Sequence, residues 1–136
     1  MIKVEAGNEL ILRLNDGEDL LESLASLGIT AGQAWGIGML REVRLGYWTG
    51  SDYEEHRIDE PAELLSLQCI LSRKEGKPFP HCHVVLMKRD GTVVGGHLLA
   101  GRVHAGNEIY VNRMKGIVLE RVREPSGLWG LQPKAA

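Results

Sequence analysis

From residue 81 to residue 123 the chain runs through short apolar stretches separated by turn signals: "HVVLMK", "RDG", "TVVGGHLLAGRV", "HAGN", "EIYVNR" and "GIVLERV". Short strands joined by tight turns imply an antiparallel sheet, and this pattern constrains the fold more than any other part of the sequence. Whatever else the chain builds must pack against that sheet.

The N-terminal part supplies candidates for the packing. In "NELILRLNDGEDLLESLASLGIT", Leu10, Leu12 and Leu14 alternate as in a strand, whereas Leu20, Leu21, Leu24 and Leu27 fall at helical spacing. A strand therefore leads into a helix, with Asn15 or Asp16 as its cap, Glu18 and Asp19 at the positive end of its dipole and Gly28 at its left-handed end. "QAWGIGMLREVRLGYWTG" returns to period two, with Val43, Leu45 and Tyr47 expected on one face. Its Gly36-Ile37-Gly38 follows a helix and opens a strand, the reverse of a dinucleotide-binding turn, so a bulge or a close backbone approach is the expected role.

"DYEEHRIDE" reads as a solvent-facing acidic piece broken by Pro61, followed by a strand from about Leu64 to Leu71 and a polar loop. "SRKEGK" within that loop is a short basic stretch of the kind usually found as a solvated turn. The tail "EPSGLWGLQPKAA" reads as an extended Pro- and Gly-rich arm over residues 124–136, anchored by Trp129.

At 136 residues the chain is expected to form one domain, residues 1–136, because a chain of this size can bury roughly two thirds of the surface its unfolded form exposes. A content of 43% hydrophobic and 25% charged residues is that of a globular protein. The apolar runs are too short to span a bilayer and "MIKVEAGNEL" lacks the apolar stretch of a signal peptide, so a cytoplasmic location with no membrane partner is expected. Cys69 and Cys82 form no CxxC pair and are expected to be free, buried thiols. A net charge of -2 gives no long-range attraction to a polyanion, and a nucleic-acid role would have to rest on a local patch.

Three of the five histidines, His81, His83 and His97, lie in "HCHVVLMKRDGTVVGGH". In a strand His81 and His83 share one face and Cys82 points away from it. If Arg89, Asp90 and Gly91 form a three-residue loop with Gly91 left-handed, Lys88 pairs with Thr92 and His83 stands opposite His97, with His81 diagonal to it. A two-residue Asp90-Gly91 turn would put His97 on the other face. Gly95 and Gly96 are expected to leave open space around His97. Three neutral imidazoles suit a divalent ion such as zinc and leave one position for water or a ligand; the bland alternative is strand-end residues satisfied by the backbone. A hydrolytic enzyme would need a carboxylate near the metal-bound water, for which Glu63 and Glu108 are the candidates. His56 and His104 are expected at the surface.

The chain resembles the plants-and-prokaryotes-conserved (PPC) domain, also found in plant proteins that carry AT-hook segments. The likeness runs through "LRLNDGEDLLESLASLGI", "GIGMLREVRLGYW", "ELLSLQCILS", the "HCH" pair, and "DGTVVGGHLLAGRV" followed by "NEIYV". It implies an α+β fold, a largely antiparallel, mixed sheet with a packed N-terminal helix, assembling as a homotrimer. It also implies that His81, His83 and His97 can hold a metal, zinc by expectation, as in some prokaryotic members. Apart from the resemblance, a small anionic ligand is expected beside that metal. Prokaryotic relatives are often described as DNA-binding, but this chain has no Arg-Gly-Arg-Pro core of an AT-hook. DNA binding and zinc-dependent hydrolysis stand as the alternative functions. Cys69 departs from the family pattern, where a small residue such as glycine is common.

Overall fold

The computed structural model describes residues 1–136. Strand β2 (Glu9–Asn15) buries Leu10, Leu12 and Leu14 and exposes the residues between them. It pairs antiparallel with β1 (Ile2–Ala6), which is exposed along its length. The change of period after Asn15 produces helix α1 (Leu20–Ala25), which buries Leu20 and Leu24 and packs Leu21 and Leu27 against the core. Its cap is Asp19, whose carboxylate accepts from the Glu22 backbone N–H at 2.9 Å, and not Asn15 or Asp16. Asn15 closes β2, and Asp16 is engaged elsewhere: its Oδ1 accepts from the Ala105 backbone N–H at 2.9 Å and from Arg41 at 2.6 Å. Gly28, at φ 71°, ends the turn that follows. With six helical residues the chain is a mostly β protein, and the expected α+β layer of sheet and packed helix is reduced to one short helical plug.

Two long strands organise the sheet. β3 (Gly32–Trp48) and β7 (Val93–Arg113) run antiparallel to each other. β3 also carries β4 (Tyr53–Ile58) along its C-terminal part and β5 (Ala62–Lys74) along its N-terminal part. β6 (Lys77–Met87) pairs with both β5 and β7, so β3, β5, β6 and β7 form a closed circuit of ladders. A last hairpin, β8 (Ile117–Arg123) and β9 (Trp129–Ala135), joins the edge of β5 through two parallel pairs, Arg73 with Glu120 and Lys74 with Arg121. All other ladders are antiparallel, which makes the sheet mixed as well as largely antiparallel.

Four local expectations are corrected. "HAGN" is no turn: β7 passes through it, with Ala105 at φ 64° and a register shift against β3 that the Asn107 side chain bridges by donating to the Met39 and Gly106 carbonyls. "DYEEHRI" is strand β4, whose outward acidic residues hid its pairing with β3. The tail is β9 and not a free arm. Val43 and Leu45 are buried as the alternation requires, but Tyr47 is exposed opposite Glu54, next to the β3–β4 turn. Gly36 and Gly38 do mark a bulge against β5, and a Cβ at Gly36 would lie 2.5 Å from the Glu108 carbonyl oxygen.

A single cluster of 23 buried side chains fills the interior, drawn from β2, α1, β3, β5, β6 and β7 among others. Cys69 and Cys82 belong to it, buried as expected, but they are bonded to each other and not free. The polar loop between β5 and β6 is only a two-residue turn, Glu75 at φ 50° and Gly76 at φ 77°. Residues equally far on either side of that turn become cross-strand partners, and Cys69 and Cys82 are such a pair, with Cα atoms 4.2 Å apart.

Candidate metal centre

The β6–β7 turn has the three-residue form. The Lys88 N–H donates to the Thr92 carbonyl and the Gly91 N–H to the Lys88 carbonyl, each at 2.9 Å, with Gly91 at φ 87°. The Asp90 carboxylate accepts from the Thr92 N–H at 2.9 Å and holds the loop in shape. The register that follows pairs Met87 with Val93, Val84 with Gly96 and His83 with His97. His81 lies two residues further along β6 on the same face, and Cys82 between the two histidines turns into the core.

One nitrogen from each of His81, His83 and His97 can be chosen so that all three lie within 4.8 Å of one another. The ring centroids are 4.9 Å apart for His81 and His97, 5.0 Å for His81 and His83, and 5.6 Å for His83 and His97. His83 is exposed and the other two are half-buried. Gly95 and Gly96 do not open space around them: a Cβ on Gly95 would meet the Val84 carbonyl oxygen at 2.7 Å and one on Gly96 the Gly46 carbonyl oxygen at 3.3 Å. Their role is close approach of the β6, β7 and β3 backbones. Gly46 does make room, because a Cβ there would sit 2.8 Å from Tyr53 Cδ1. Without it the Tyr53 ring stacks on His97, centroids 4.6 Å apart and planes 23° from parallel.

Burial, reinforced by the Arg121 charge and the neighbouring imidazoles, pulls His81 down to about pKa 4. Burial also takes His97 to about 4, with His83 and Arg121 adding to it. Both rings are therefore neutral at pH 7, the state in which imidazole binds a metal. The His97 Nδ1 is buried and has no hydrogen-bond partner, a cost that a bound ion or its shell would remove. Donor type, spacing and this orphaned nitrogen all fit a divalent ion held by three histidines.

Arg121 of β8 reaches the same site. Its Nε donates to Ser72 Oγ at 3.0 Å, its Nη1 to the Trp129 carbonyl at 3.4 Å and its Nη2 to His81 Nδ1 at 3.2 Å. A guanidinium only donates, so His81 Nδ1 must accept, and the proton of the neutral ring sits on Nε2. Coordination of a metal through either nitrogen of His81 then requires Nη2 to let go. Arg121 and a metal ion compete for one imidazole.

Beside the histidines lies a cavity of about 310 Å³ whose walls include His81, His97, Tyr53, Phe79 and Trp129. The charged groups on it are Arg121 and Lys74, and no carboxylate is among the lining residues. Glu63 and Glu108, the candidate bases, line a different groove together with Arg13. His56 is a surface residue paired with Glu54 at 3.1 Å, as expected, while His104 is half-buried with its Nδ1 3.4 Å from Arg41. In the basic stretch, Arg73 pairs with Glu120 at 2.6 Å and Lys74 turns toward the cavity.

Sequence reasoning finds the three histidines and misses Tyr53, Lys74 and Arg121. For Arg121 a signal exists: Leu119 and Arg121 fall on the inward positions of β8, and a charge at an inward position marks either a buried pair or a site. Tyr53 has no such signal, since its contact with His97 depends on the long-range β3–β7 register.

The family model described as the Plants and Prokaryotes Conserved (PCC) domain matches residues 1–114. A plant- and prokaryote-conserved protein from Pyrococcus horikoshii is 33% identical, with a TM-score of 0.88 over 93% of this chain and 92% of that one. A protein from Archaeoglobus fulgidus described as metal-containing is 36% identical, with a TM-score of 0.85 over 94% of this chain and 95% of that one. A candidate DNA-binding protein from Bacteroides thetaiotaomicron shares the fold at 21% identity, with a TM-score of 0.87 over 98% of this chain and 96% of that one. None of the curated proteins matches the chain.

Proposed function

Since the chain belongs to the Plants and Prokaryotes Conserved domain family, we propose that it is a homotrimer whose His81, His83 and His97 hold one zinc ion with a small ligand at the open position. The observation that carries this reading is the convergence of three imidazole nitrogens within 4.8 Å on one face of the β6–β7 hairpin. The description of the Archaeoglobus relative as metal-containing supports it. Held by His81, His83 and His97, zinc would supply Lewis-acid chemistry to a small ligand. Of the chain's own residues, Tyr53 stacks on His97 and fixes its ring, while Arg121 occupies His81 Nδ1 only until the ion takes that imidazole.

The trimer is supported by a row of side chains across the outer sheet face. Val4, Ile11, Tyr110, Trp35, Gln68 and His83 are successive cross-strand partners. Val4, Ile11 and Trp35 are each more than half exposed in the single chain, and such an apolar row is the kind of surface that subunits cover. The row runs into the histidine cluster at His83, whose next partner is His97, so assembly would also shield His83.

Neither alternative has comparable support. A zinc hydrolase needs a carboxylate at the metal-bound water, and the cavity presents two cations in that place. Strong DNA affinity requires several positioned Lys or Arg per contact surface, which a chain of net charge -2 supplies only through a local patch. Elemental analysis of untagged protein tests the reading: about one zinc per chain that is lost in His97→Ala is the expected result. Equal, negligible metal in both proteins would overturn it.

A further inference from the structure

Arg121 is 8% exposed, and its three hydrogen bonds go to a hydroxyl, a carbonyl and an imidazole, none of which carries a negative charge. Lys74 faces the same cavity without an acidic partner, its Nζ 4.4 Å from the Trp129 ring centroid and 5.0 Å from that of Phe79. The neighbouring carboxylate, Glu120, is taken by Arg73. Desolvating a guanidinium without a counter-charge is unfavourable, and two uncompensated cations converging on one concavity mark a place for an anion.

The walls say which kind. Phe79, Trp129, Tyr53 and Trp48 line the cavity with aromatic side chains, and the volume of about 310 Å³ is at the small end of ligand pockets. The geometry points to a site for a small planar carboxylic acid, its carboxylate on Arg121 and Lys74 and its flat body against the Trp129 and Phe79 rings. A guanidinium fork matches a carboxylate with two parallel hydrogen bonds, whereas inorganic phosphate would satisfy the cations and leave the aromatic walls unused.

This site deepens the metal-site reading and rests on it in one respect. A zinc ion on His81 displaces the Arg121 Nη2 from that ring and frees a donor aimed at the cavity. Metal and acid then strengthen each other's binding by the same factor.

Titration of tryptophan fluorescence with benzoate tests the proposal, because Trp48 and Trp129 line the cavity. It is run on chelator-stripped and on zinc-reloaded protein, with zinc content measured in parallel and with benzamide and inorganic phosphate as competitors. Saturable binding of benzoate is expected in both forms, tighter with zinc, and neither benzamide nor phosphate should displace it at equal concentration. Lys74→Met, at a half-exposed position, should weaken it about tenfold, and Arg121→Gln should abolish it. No saturable binding in either form, equal binding of benzamide or phosphate, or an unchanged Lys74→Met would overturn the site, and equal affinity with and without zinc would overturn the coupling. Lys74-dependent benzoate binding by a protein that takes up no zinc would sink the metal reading and leave the pocket standing. Zinc uptake without benzoate binding would do the reverse.

Discussion

The two hairpins that meet at the histidine site are built differently. The β6–β7 hairpin is held on both sides, by β5 and by β3, and its turn fixes which residues face each other. The β8–β9 hairpin touches the rest of the sheet through two parallel pairs with β5, and it delivers Arg121 and Trp129 to the same place from outside. A site made this way separates two jobs: a hairpin paired on both sides positions the three histidines, and a lightly attached one adds Arg121 and Trp129 to the Lys74 and Phe79 already placed by β5 and β6.

That contrast can be broken by substitution. The largest effect is expected from His83→Ala, which removes an exposed ligand at no cost to the core and should take zinc from stoichiometric to negligible, while Trp129→Ala leaves it unchanged; loss of metal in both variants would mean that the second hairpin also builds the ion site. On stability, Leu86→Ala in β6 empties a fully buried position and should cost about 2–5 kcal/mol in denaturant unfolding. Leu131→Ala in β9, half-buried, should cost about 1 kcal/mol.

The two turns sharpen the comparison further. Gly91 and Gly127 sit at φ 87° and 92° in the two turns, so a β-branched residue at either should cost about 1–3 kcal/mol. Only Gly91→Val should also weaken zinc, since it alone disturbs the pairing of His83 with His97. The smallest effect concerns pH. In the unfolded chain the imidazoles of His81 and His97 titrate near 6.5, and in the folded chain near 4, so the unfolded state takes up protons that the fold refuses. Stability of the stripped protein should therefore fall as pH falls through that window, by a few degrees in Tm over the first pH unit. A Tm that is flat or rises on acidification from pH 7 to 6 would contradict the burial assigned to both rings.

How much of this is legible in the sequence follows from the range of the interactions. The hairpin with His83 and His97 is local: "KRDGT" contains the turn residues, and the period of two does the rest. The β5–β6 turn was equally local, yet "KEGK" lies inside a polar stretch that reads as a loop, and with the turn misplaced Cys69 and Cys82 lose their partnership. β4 escapes because its outward face is acidic and its inward face holds few apolar residues. The passage of β7 through "HAGN" depends on Asp16, 89 residues away in sequence from Ala105, accepting the N–H that the bulge exposes. The convergence of Tyr53, Lys74 and Arg121 on the histidines is a property of sheet order, which no short window of sequence contains.

The central claim is that one ion is bound by three particular side chains. Anomalous diffraction at the zinc edge, from crystals of protein grown with zinc, measures this directly. The account predicts one peak bonded to a nitrogen of each of His81, His83 and His97, at about 2.0–2.1 Å, with the Arg121 guanidinium no longer on His81. An absent peak, or one at His56 and Glu54 instead, would contradict it.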